Sequence, residues 1–258
     1  MIVFLIKKWF FDCWDNLLWL LIGNLLILIA AAVPIIIPPR LATLAPEPAL
    51  LVFVLGFLLV IVIVGTLSFF VRDITDYQGV ELENLRPYIA VSWKQSLAFG
   101  GLYLFLMFLI VVGFPVYAGM DNVVGTFAMV FLFWGSLTWL LTSQYYFPIR
   151  ARLADRFKII VRKSFAVFFD NVAFSVFLGF GSFLILLASV FTAFLMPGFI
   201  GILVWVHVAF KLRLKKYDYL EANPGTKPSK IPWAELLQDE KERVGPRTLR
   251  NMIFPWKD

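Results

Sequence analysis

The chain has one cysteine (Cys13), one histidine (His207) and no His/Cys cluster, so it can form no internal disulfide and offers no structural metal site of that kind. It has no nucleotide-binding glycine loop, no zinc-protease motif and no local signature of a Ser-His-Asp set or a glycosidase carboxylate pair. Charged residues are scarce, at 16% of the chain, and none falls in the middle of its long apolar runs. Ion-coupled carriers and proton pumps keep ionisable groups at membrane depth. That pattern therefore argues against ion coupling, and enzymatic activity and a cofactor are not expected.

What the chain has instead is apolar mass. Hydrophobic residues make up 61% of its 258 positions, with 28 Phe and 9 Trp, and the mean hydropathy is +0.85. Soluble domains use roughly 45–50% apolar residues. An all-α, polytopic membrane protein follows, with room for about six spans of roughly 20 residues. The sequence predicts them near Leu17 to Ile37, Ala49 to Phe70, Gln95 to Tyr117, Val124 to Phe147, and two within Val172 to Phe210. The last run is 39 residues long and could hold either a hairpin or one tilted span with a re-entrant segment. Met196-Pro197-Gly198 supplies a break, and Lys211, Arg213, Lys215 and Lys216 follow at once, which favours the hairpin.

The pI near 9.4 and net charge of +6 reflect placement rather than nucleic-acid binding. Twenty-two of the 23 Lys and Arg lie on the segments read as inner, and only Arg40 lies on an outer loop. Cytoplasmic loops carry such an excess. Both termini are therefore expected in the cytoplasm. The densest basic segment, Pro148 to Asn171, contains Arg150, Arg152, Arg156, Lys158, Arg162 and Lys163 against Asp155 alone. With Lys7 and Lys8 at the start and Trp233 and Trp256 in the tail, these are the candidate contacts to the membrane surface or to a partner.

The chain also repeats a local pattern. Lys7-Lys8 precede Asp15-Asn16 by the same interval that separates Arg162-Lys163 from Asp170-Asn171, and each pair leads into an apolar run. A middle segment from Arg86 has basic residues and aromatics before a span but lacks the Asp-Asn pair. The layout predicts three units, 1–70, 71–147 and 148–216, each an interfacial amphipathic helix followed by a helical hairpin. Asp15, Asn16, Asp170 and Asn171 would cap the incoming helices. The alternative is that any polytopic chain places charge before its spans.

Asn24, Thr138, Thr142 and Gln144, with Ser136 and Ser143, form a candidate buried polar track, although inter-helix hydrogen bonding is the commoner use of such residues. His207, one turn from Lys211, reads as an interfacial histidine before it reads as a proton-handling group. Gly100, Gly101, Gly113, Gly179 and Gly181 suit close helix approach. Residues 217–258 form a cytoplasmic tail that is either disordered or a docking segment, and its Trp233, Phe254 and Trp256 are more hydrophobic than disorder requires.

Three stretches, KKWFFDCWDNLLWLLIGNLL, SWKQSLAFGGL and QYYFPIRARLADRFKIIVRKSFAVFFDN, resemble the YesL-like family of bacterial integral membrane proteins. The resemblance covers about residues 5–216. It implies an accessory or assembly role beside a carbohydrate importer of the ATP-binding-cassette type, with its permease and ATPase subunits as partners. An autonomous permease or lipid-handling protein, using a groove between the three hairpins, is the alternative. A third reading, an enzyme on lipid headgroups, would use Asp15, Asp155 or Asp170.

Overall fold

A computed structural model describes residues 1–153, 156–225 and 231–247. Among these residues the chain is helical throughout, without strands. The helices are α1 (Ile2–Asp15), α2 (Leu17–Leu41), α3 (Pro46–Thr75), α4 (Leu85–Ala118), α5 (Val123–Ser143), α6 (Tyr146–Arg152), α7 (Phe157–Asp170), α8 (Val172–Val190), α9 (Gly198–Ala222), α10 (Trp233–Leu236) and α11 (Gln238–Val244). Five stretches are long and apolar enough to cross a membrane: α2, α3, α4 with the short turn before it, α5 running into α6, and α8. This is a multi-pass membrane protein.

Helices α2 to α5 pack serially, each on the next, and α8 packs on α9. Helix α9 is the centre of the molecule. Val204, Trp205, Val206, His207, Val208, Ala209 and Phe210 are all buried, enclosed by α1, α2, α3, α6 and α8. A helix buried on every side needs no amphipathic stripe. The polar turns of α9 begin only at Lys211, where it reaches the charged end of the bundle.

The amphipathic helix α1 covers α9, remote in sequence, and α7 covers α5 and α6, the helices that precede it. Trp9 of α1 donates its indole N–H to the carbonyl of Gly201 in α9 (2.9 Å) and meets Trp205 edge to face. Phe165 of α7 lies against Trp139 of α5, and Phe157 against Tyr146 of α6. The corresponding basic and aromatic segment before the third apolar run forms no separate helix; it is the first turns of α4, continuous with the span. There Tyr88 stacks on Phe69 of α3 and donates to Asp73 Oδ2 at 2.5 Å.

The α8–α9 turn is seated part-way along α2. The Asn24 side chain, at the eighth residue of α2, donates to the carbonyls of Leu195 (3.0 Å) and Pro197 (2.9 Å) and accepts from the Ile200 N–H (2.8 Å). Gly198, at φ +64°, passes so close to Asn24 that a Cβ would collide with it. Helix α2 continues seventeen residues beyond Asn24, roughly 25 Å at 1.5 Å per residue. The apolar part of α9, Gly198 to Phe210, is thirteen residues, roughly 20 Å.

Candidate functional site at the charged end of the bundle

The ends of α3 and α6 and the middle turns of α1 and α9 converge with α11 on one ionic node. Lys8 is fully buried, with Nζ 2.9 Å from Asp12 Oδ2 one turn on, 3.5 Å from Glu240 Oε2 and 3.8 Å from the centre of the Tyr77 ring. Lys211 bridges Glu240 Oε1 (2.8 Å) and Asp76 Oδ1 (3.2 Å) and donates to the carbonyl of Thr75 (2.8 Å). Arg152 pairs with Asp76 and donates to Thr75 Oγ1 at 2.7 Å. Tyr77, in the left-handed region at φ 58°, sits under Lys8, Lys211 and Arg243. Four separate segments and the tail are thereby tied at one place.

Burial sets the protonation behaviour of this node. It raises Asp12 to about 7 despite the opposing charge of Lys8, and it lowers Lys8. Burial alone would also raise Glu240 and Asp76. There the cations win: Lys211, Lys8 and Lys215 hold Glu240 below the usual carboxylate range, and Arg152 with Lys211 does the same for Asp76. Glu240 is the tail's anchor. Lys7 adds a bond to the Gly245 carbonyl (2.9 Å), and Arg247 clasps Asp15 through both carboxylate oxygens.

The residues singled out in the sequence separate into three groups. Lys8 and Arg152 belong to the node, and Lys8 is buried in it instead of facing headgroups. Arg150 is buried too, donating to the Val91 carbonyl at 2.6 Å over the Phe69 ring. Arg156, Lys158 and Arg162 are exposed and Lys163 half-buried, and among the described residues none of the four has a hydrogen-bond or ion-pair partner through its side chain. Trp233 opens α10, its ring 5.9 Å from the Arg213 guanidinium. Asp155, Phe254 and Trp256 lie outside the described residues.

The expected helix caps are corrected. Neither Asn16 nor Asn171 makes a side-chain cap to the following helix. Each turns backwards: Asn16 Nδ2 donates to the Asp12 carbonyl (2.9 Å) and Asn171 Nδ2 to that of Val167 (3.3 Å). With a single residue between consecutive helices, the side chain serves the last carbonyls of the helix behind it. Asp15 is taken by Arg247, and Asp170 by Lys216 (2.7 Å), the Tyr217 hydroxyl and Asn171.

The polar track also divides. Asn24 fastens the α8–α9 turn, whereas Gln144 donates to the Leu141 and Ser175 carbonyls and so links the end of α5 to α8. Ser143 meets the Tyr103 hydroxyl at 2.6 Å. Thr142 is buried with its hydroxyl unbonded among the described residues, and Thr138 is half-buried. His207 is fully buried in the bundle, with Nε2 2.8 Å from Ser68 Oγ. Sequence reasoning missed Asp12, Asp76, Tyr77 and Glu240; only the four-residue spacing of Lys8 and Asp12 signalled any of them.

No protein-family model, curated protein or solved structure matches this chain.

Proposed function

We propose that this chain is a multi-pass protein of a bacterial cytoplasmic membrane, with both termini inside, that works without catalysis as an accessory or assembly subunit of an importer of the ATP-binding-cassette type. The observation that carries this reading is the ionic node. Its charges pair with one another across four segments and hold the tail, so that they build a fixed surface at the end of the bundle bearing nearly all the Lys and Arg. A carbohydrate as the imported solute extends the sequence resemblance.

The topology belongs to the same proposal. Asp170 before α8 and Lys216 near the end of α9 are joined at 2.7 Å, so this pair leaves and returns to one face. An even number of crossings is supported, and with it both termini on the basic, cytoplasmic side. The sequence expects six crossings in three hairpins. The position of the α8–α9 turn, well short of the far end of α2, favours four crossings by α2 to α5 and a re-entrant α8–α9 pair. The covering of α9 by α1, of α5 and α6 by α7, and of α3 by the start of α4 supports three related units.

The test is a pull-down in mild detergent from the native membrane, with a tag after Asp258 and mass-spectrometric identification. Permease and ATPase subunits should be recovered; repeated recovery of the chain alone counts against the accessory role. A second reading, a permease or lipid-handling protein, is favoured by an apolar groove of about 480 Å³ between α4 and α5. Transport by the purified protein in liposomes would decide for it.

A further inference from the structure

The groove between α4 and α5 is lined by Tyr103, Met107, Ile110, Phe133, Leu137 and Trp139, on two helices long and apolar enough to span the membrane. Its volume is within the range of ligand clefts, roughly 300–1,000 Å³. Trp139 is the lining residue that α7 touches.

The cations are close by. Phe165 of α7 lies on Trp139, with ring centres 6.0 Å apart. Lys158, Arg162, Phe165 and Phe169 recur at the i, i+4, i+7 and i+11 positions and therefore share one face of α7. Lys158 and Arg162 are exposed, and no described residue neutralises them. An apolar channel on two helices long and apolar enough to span a membrane, and unpaired cations on the helix that meets its wall, match the parts of one molecule.

We infer that this groove is a binding site for an anionic glycerophospholipid, with an acyl chain along α4 and α5 and the phosphate headgroup on Lys158 and Arg162. A zwitterionic lipid of the same chains would gain the groove but less from the cations. Assignment to the inner leaflet rests on the orientation proposed above; the binding itself does not, nor does it require any importer partner.

The test is native mass spectrometry of the full chain in mild detergent, titrated with phosphatidylglycerol or with phosphatidylcholine of the same acyl chains. Phosphatidylglycerol should be preferred. The double variant K158Q/R162Q should cut its retention about 25-fold, since each basic residue near a membrane surface contributes roughly a factor of five to anionic lipid binding. Ile110→Trp, which fills the groove, should weaken both lipids. R86Q/K94Q removes the same charge from exposed positions on α4 and should leave the preference intact. Equal losses in the two double variants would reduce the effect to net charge and overturn the site, as would an unchanged preference in K158Q/R162Q. Both doubles alter only exposed side chains, so the comparison stands even where Ile110→Trp does not fold.

Discussion

Asn24 shows how one polar side chain in an apolar helix can fix the architecture around it. Its amide satisfies two carbonyls and one N–H of the α8–α9 turn. Asn24→Leu strands those three groups and should destabilise the fold by about 3 kcal/mol, read as a lowered unfolding midpoint in detergent; a change within about 0.5 kcal/mol would mean the turn is held by other contacts. Asp12 makes a pH prediction. Its folded pKa, about 7, exceeds the ordinary carboxylate value, so the folded state takes up the proton first. Its contribution is fully present below the unfolded pKa and is lost as pH rises toward 7. Acidification from about pH 7 to 5 should thus shift the midpoint of the parent chain upward relative to that of Asp12→Asn, and an unchanged difference between the two would count against a raised Asp12. Glu240 has the opposite sign. Its stabilisation is present above the ordinary glutamate value and is lost only as pH falls through a still lower one, so protease protection of the tail should persist through that same acidification.

At the scale of the element, the two fourteen-residue helices α1 and α7 were legible from their basic pairs, aromatics and terminal Asp-Asn, because an amphipathic period survives in any sequence window. The direction of their asparagines was not. Capping residues and back-bonding residues are the same types, and only the tight α1–α2 and α7–α8 junctions decide between the two uses. The two sites differ in what else they hold. Asn16 has its one backward bond, while Asn171 also donates to Asp170 and Tyr217 and accepts from Lys216. Asn171→Ala should cost about 2–3 kcal/mol and Asn16→Ala about 1 kcal/mol in thermal unfolding. Equal costs would make both junctions local features only. The start of α4 was misread as a separate helix since nothing between Arg86 and Gln95 breaks the helical backbone.

For the molecule as a whole, composition was enough for the membrane class, because it is a sum that needs no contacts, and charge placement supplies only an expected orientation. The ionic node and the α8–α9 turn were hidden for the opposite reason: Lys8 meets Glu240 across 232 positions of sequence, and Asn24 meets Ile200 across 176. A polar residue in an apolar run announces a partner without naming it. The 39-residue apolar block was ambiguous on length alone, and the position of its turn against α2 is what favours a re-entrant pair. The measurement that tests this account most directly is cysteine accessibility in a Cys13→Ser background, using a membrane-impermeant thiol reagent on intact and permeabilised cells. Thr43→Cys and Asp121→Cys should label in intact cells, Lys158→Cys and Asp239→Cys only after permeabilisation, and Phe191→Cys at the α8–α9 turn in neither. Labelling of Phe191→Cys from outside would restore six crossings, and labelling of Lys158→Cys or Asp239→Cys in intact cells would contradict a charged end that faces the cytoplasm.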